Sequence, residues 1–203
     1  MKRCAGLAAG VCLILLCVGI YFGAGGSDVP ESSAVSVGRK GRITAWFVED
    51  FAEDYYSIEE LAQMAKREAA EYNARIPGKK TAVKVEKVKQ LPEDSGKIMV
   101  SYRFDGWKSY TDFNGVNFFY GTVEEAAAEG LGAGAVLKSL ADGSLSAGDR
   151  LSRATDSYVI VTDVKANVYC PGEVTHISEG ASVNEDGSID TSGAEGTVYI
   201  LMK

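Results

Sequence analysis

Apolar residues recur every three or four positions in one clear stretch, "SIEELAQMAKREAAEYNARIPG". Ile58, Leu61, Ala62, Ala65, Ala69, Tyr72 and Ile76 form a single stripe, which predicts an amphipathic helix. Ser57 can cap its first turn while Glu60 reaches back as the partner of a capping box. Pro77-Gly78 stops it. Glu71 and Arg75 stand four apart on the polar side, the spacing of a helical ion pair.

Elsewhere the period is two. "AVSVGRKGRITAWFVED" predicts a hairpin with a turn at Gly38-Arg39-Lys40-Gly41. Ile43, Ala45 and Phe47 share one face of its return strand, and Thr44, Trp46 and Val48 the other, so both faces are expected to be covered. "TAVKVEKVKQLPEDSGKIMVSYRF" predicts a second hairpin, turning between Pro92 and Gly96. Ile98, Val100, Tyr102 and Phe104 alternate, as do Val83 and Val85. Val88 is out of phase, which calls for a bulge near Glu86-Lys87. A short helix is expected over Trp107 to Asn114, ended by Gly115. Another begins at Thr122, with Glu125 completing a capping box, and ends at Gly130. From Tyr158 onward "SYVIVT", "NVYC", "VTHIS", "ASV" and "TVYILM" read as strands between turn residues. Leu131 to Ala154, rich in Gly, Ser and Ala, has no firm pattern.

These elements predict one α+β domain over residues 34–203. A mainly antiparallel sheet is packed by one long amphipathic helix and two short helices. A β-rich C-terminal portion shares or extends that sheet. Ile58, Leu61, Tyr72, Ile98, Val100, Phe104, Val159, Val161, Tyr199 and Leu201 are its expected core, each large side chain contributing about 1.5–3 kcal/mol on burial.

The first residues follow a different rule. Lys2 and Arg3 precede a run without charge up to Asp28, and its apolar part, Ala5 to Phe22, has the length a bilayer-spanning helix needs. Cations before the run favour export of everything after it. Residues 1–24 are therefore a transmembrane anchor or a signal, and residues 25–33 a flexible tether. Three outcomes compete. An uncleaved anchor fits the length, with Tyr21-Phe22 at the outer interface. A cleaved signal would end in Gly23-Ala24-Gly25-Gly26-Ser27. Lipidation at Cys17 would require a small residue before it, where Leu15-Leu16 stand, and a polar tether after it, where Val18 to Phe22 stand.

Charge narrows the partners. Removing Lys2 and Arg3 from the 21 bases leaves 19 against 28 acids, a net of −9 beyond the leader. Such a surface repels phosphate backbones, and no basic patch with interleaved aromatics is present, so nucleic acid is not an expected partner. Of four cysteines, Cys4, Cys12 and Cys17 lie in the leader. Cys170 is thus alone in the folded part, where it reads as a small buried hydrophobe. One histidine, His176, cannot build a Cys/His metal cluster, and no G-x-S-x-G elbow accompanies it. No cofactor is implied.

Four stretches could carry chemistry. "WKSYTDFNGVNFFYGT" gathers rings. Trp107, Tyr110, Phe113 and Phe119 could stack on sugar faces while Asp112 and Asn114 bind hydroxyls, or the rings could bridge a helix to the core. "SVNEDGSID" places Asn184, Asp186, Gly187 and Asp190 near the offsets of a calcium loop, but Ser182 and Gly193 break the pattern, leaving a β-turn. "EDFAED" groups Glu49, Asp50, Glu53 and Asp54, enough carboxylates for glycoside hydrolysis, yet placed where acids favour a helix N-terminus. "GLGAGA" mimics a phosphate loop but follows a helix end instead of a strand.

The combination "VEDFAEDYYSIEELAQMAKREAAEYN", "DFNGVNFFYGTVEEAAAEG" and terminal "VYILMK" resembles a group of bacterial cell-surface lipoproteins of unknown function. The resemblance spans most of residues 34–203. It implies a compartment and a general build, with no activity or site. The chain departs from that group in lacking a clean lipidation motif. The expectation is a membrane-tethered extracytoplasmic protein, a non-catalytic binding or structural module. Its partners would be the membrane through the N-terminal helix and a cell-wall glycan or surface protein. The alternatives are glycan binding through the aromatic stretch and a secreted hydrolase with paired carboxylates.

Overall fold

The computed structural model describes residues 30–50, 57–78, 81–91, 96–132, 135–146 and 156–203. The leader, with Cys17, and the acids Glu53 and Asp54 lie outside the described residues. Among the described residues, no helix is long and apolar enough to cross a membrane.

The fold mixes three helices with β-rich sheets among the described residues. In chain order these are β1 (Ala34–Val37), β2 (Ile43–Asp50), α1 (Ile58–Arg75), β3 (Val83–Gln90), β4 (Lys97–Phe104), α2 (Trp107–Asn114), β5 (Phe118–Thr122) and α3 (Val123–Ala128). There follow β6 (Leu137–Ser139), β7 (Leu145–Ser146), β8 (Tyr158–Thr162), β9 (Asn167–Tyr169), β10 (Val174–Ser178), β11 (Ser182–Val183), β12 (Ile189–Asp190) and β13 (Val198–Met202).

The strands form two sheets, where one shared or extended sheet was expected. The first runs β11-β12-β9-β1-β2-β4-β3 and the second β5-β8-β13-β10-β6-β7. The C-terminal portion is divided between them. β9, β11 and β12 extend the first sheet, with β9 parallel to β1. β8, β10 and β13 belong to the second. The reason lies in "YVIVT": Val159, Ile160 and Val161 are all buried, so β8 needs cover on both faces. Ile160 points into a core shared with the first sheet, where Ile43, Ala45, Tyr102 and Phe104 also meet Ala65, Ala69 and Tyr72 of α1. Val159 and Val161 point the other way, into a smaller core closed by Val123 and Ala126 of α3. Of the expected core residues, Tyr72, Ile98, Phe104, Val159, Val161 and Leu201 are buried, while Ile58, Leu61, Val100 and Tyr199 are half-buried.

Local signals account for most boundaries. Ser57 caps α1 by accepting from the Glu60 amide at 3.3 Å. The expected return bond from Glu60 is replaced by one from the Ser57 hydroxyl to Glu59, at 2.9 Å. On the polar side Arg75 Nε donates to the Glu71 carbonyl at 3.3 Å, in place of the expected carboxylate pair. At Thr122 the box is complete, with Glu125 N to Thr122 Oγ1 at 3.1 Å and Thr122 N to Glu125 Oε2 at 2.8 Å. The β3–β4 register shifts between Val85 and Lys87, which brings Val88 opposite Val100. Gly115 ends α2 at φ 64°, in the left-handed region that favours glycine.

Candidate functional site

The aromatic stretch holds the layers together. Tyr110, 1% exposed, meets Phe104 of β4 and Phe118 of β5, each edge-on at 5.1 Å. Phe113 packs among Tyr72, Tyr102 and Phe104 at 5.3–5.7 Å. Phe119 is 4% exposed and lies on the opposite face of β5 from Phe118, in contact with the Trp107 ring at 5.0 Å. Trp107 and Phe113 are half-buried and Asp112 is exposed. Asn114 Nδ2 donates back to the Tyr110 carbonyl at 2.8 Å. These six residues therefore share no single open surface. A short helix wedged between two sheets turns the three-residue spacing of Trp107, Tyr110 and Phe113 inward, where large rings gain most from burial.

Polar groups converge elsewhere. An open cavity of about 550 Å³ lies at the end of the first sheet where β1 and β9 begin. Backbone and side-chain hydrogen bonds link its lining residues. The Asn167 backbone N–H donates to the Ser33 carbonyl at 3.2 Å, and its side-chain Nδ2 donates to Ser32 Oγ at 3.0 Å. Asn184 Nδ2 donates to Asn167 Oδ1 at 3.0 Å and to Ser188 Oγ at 2.9 Å. Ser33 is fixed in turn by Val48, whose amide donates to Ser33 Oγ at 3.0 Å.

Two aspartates line the cavity, each set by a serine two residues on. Asp186 Oδ1 accepts from the Ser188 amide at 2.9 Å and hydroxyl at 2.6 Å, and Tyr169 donates to Oδ2 at 2.8 Å. The Ser188 hydroxyl is the largest influence holding the Asp186 carboxyl below the usual range. Asp190 Oδ1 accepts from the Ser192 amide at 2.8 Å, which lowers its carboxyl in the same direction. Lys165 crosses the rim with its ammonium on the Ala194 carbonyl.

"SVNEDGSID" is thus a β-turn. Gly187 N donates to the Asn184 carbonyl at 3.0 Å, and Gly187 takes φ 81°. Among the described residues, no three His, Cys, Asp or Glu groups are placed to hold a metal ion. Ser32, Ser33, Lys165, Asn167 and Ser192 were not singled out from the sequence. The available signal was the repeated Asp-x-Ser spacing at 142–144, 186–188 and 190–192, which marks Asx turns with fixed carboxylates.

The remaining candidates are structural. Cys170 packs on the shared core, and burial pushes its thiol up to about 12. His176 is buried in β10, with Nδ1 3.0 Å from Thr175 Oγ1. Glu49 and Asp50 are exposed at the end of β2. Gly130 follows the end of α3, so "GLGAGA" opens no helix at its described residues.

No protein-family model matches the chain, and no curated protein or solved structure shows significant similarity to it.

Proposed function

We propose that the chain is a membrane-tethered extracytoplasmic protein whose folded part is a non-catalytic binding or structural module at a bacterial cell surface. The observation that carries this is the leader: two cations, then an apolar run of membrane-crossing length, then a Gly/Ser segment. The start of the domain is consistent with it. Ser32 and Ser33, ten and eleven residues beyond the apolar run, are bonded to Asn167 and Val48. The net charge of the exported part disfavours nucleic acid and leaves a cell-wall glycan or a surface protein as partner.

The rival reading, a hydrolase with paired carboxylates, needs at least two acids converging in one cleft. Of the acids it draws on, Glu49 and Asp50 are exposed at the end of β2, and Glu53 and Asp54 lie outside the described residues.

Mass spectrometry of the protein recovered from the membrane fraction and from the medium tests the tether. An intact chain, or a shortened one carrying diacylglycerol on a leader cysteine, supports it. A chain starting near Ser27 and recovered from the medium contradicts it.

A further inference from the structure

We infer that the cavity at the start of β1 and β9 is a binding site for a hydroxyl-rich ligand without negative charge, a neutral or amine-bearing oligosaccharide. This rests on the binding half of the proposed function and is independent of the membrane address.

Size comes first. About 550 Å³ is within the range of small-ligand sites, and the cavity is open to solvent, so a chain of sugar units can enter without a lid. Chemistry comes second. A sugar hydroxyl both donates and accepts, so it needs a lining of mixed character. The cavity offers serine hydroxyls, the amides of Asn167 and Asn184, and the carboxylates of Glu185, Asp186 and Asp190. A cation would instead need converging carboxylates, and the described residues contain no such group.

Fixation comes third. Asn167, Asn184 and Asp186 are each held by bonds to neighbours, so ligand binding does not have to order them. Asp190 uses Oδ1 on Ser192 and keeps acceptor capacity on its second oxygen. Charge comes last. Three carboxylates against the one ammonium of Lys165 give the lining a negative balance, which rejects phosphate- or carboxylate-bearing polymers and favours an amine.

The test is calorimetric titration of the full chain in detergent micelles. The probes are tetrasaccharides of N-acetylglucosamine (neutral), glucosamine (amine-bearing) and galacturonic acid (anionic), with calcium chloride alone as a fourth arm. Saturable binding of the neutral or amine-bearing sugar is expected, with none of the anionic one. Asp190→Asn and Glu185→Gln should each weaken it by about tenfold, the value of one hydrogen bond to a charged acceptor. Asp112→Asn, on α2 away from the cavity, should leave it unchanged. Near-UV circular dichroism establishes that each variant is folded. No saturable binding of either sugar, preference for the anionic one, binding of calcium alone, or undiminished binding by both cavity variants would overturn the inference. Failure here with the domain still exported removes the site and leaves the address intact.

Discussion

Asn73 of α1 and Val83 of β3 exchange two hydrogen bonds: Asn73 Nδ2 donates to the Val83 carbonyl at 2.7 Å, and the Val83 amide donates to Asn73 Oδ1 at 2.9 Å. The Ala82 amide adds a third, at 2.8 Å. One side chain thus acts as a strand partner at the end of the first sheet and sets where the long helix lies on it. Asn73→Ala removes three bonds of about 0.5–1.5 kcal/mol each, so a loss of about 2–4 kcal/mol is expected. Urea denaturation checks it: the midpoint should fall with little change in slope.

Tyr110 sits between Phe104 and Phe118 and is buried, whereas Asp112 on the same helix is exposed. Tyr110→Ala should cost about 3–5 kcal/mol, as for other large rings removed from a core. Asp112→Ala should stay within about 0.5 kcal/mol. Thermal unfolding of the two variants separates a bridging ring from a ligand platform, because a platform residue would leave stability nearly unchanged.

Cys170 should be chemically quiet. With its thiol pushed up to about 12 by burial, little thiolate exists near neutral pH. In a variant with Cys4, Cys12 and Cys17 replaced by serine, iodoacetamide at pH 7.5 should leave the folded protein unmodified. Alkylation should appear on adding denaturant.

Stability should fall on both sides of neutrality. Asp186 and Asp190 have carboxyls held below the ordinary value by Ser188 and Ser192. Their contribution is present above about pH 4 and is lost as pH falls below it. Tyr102 is pushed up to about 12, by burial first and then by Glu68, and Tyr169 is raised by burial. Their contribution is full below about pH 10 and declines above it. Denaturation midpoints measured from pH 2 to 11 should show both flanks, and Asp186→Asn should flatten the acid one.

Much of the local structure was legible. The cap at Ser57 and the stop at Pro77 bracket α1 to within a residue or two, because capping and proline act through short-range sterics and hydrogen bonds. Val88 announced the bulge because an out-of-phase apolar residue in a strand has few other solutions. What escaped depended on long-range partners. β5 begins with Phe118 and Phe119 on opposite, equally buried faces, so "FFYGT" lacks the alternation that marks a strand with one wet face. The division into two sheets was not visible, because periodicity reports which face of a strand is buried and says nothing of which strands pair. The cavity was missed for a related reason. Ser32 reads as tether, Asn167 as the start of a strand, and Asn184 and Asp190 as a polar turn; the parallel pairing of β1 with β9 and the antiparallel pairing of β12 with β9 assemble them.

Protease accessibility on wall-stripped whole cells tests the proposed extracytoplasmic address most directly. Added protease should digest the acidic domain while a cytoplasmic control protein survives. A domain that stays intact while known surface proteins are degraded would contradict it.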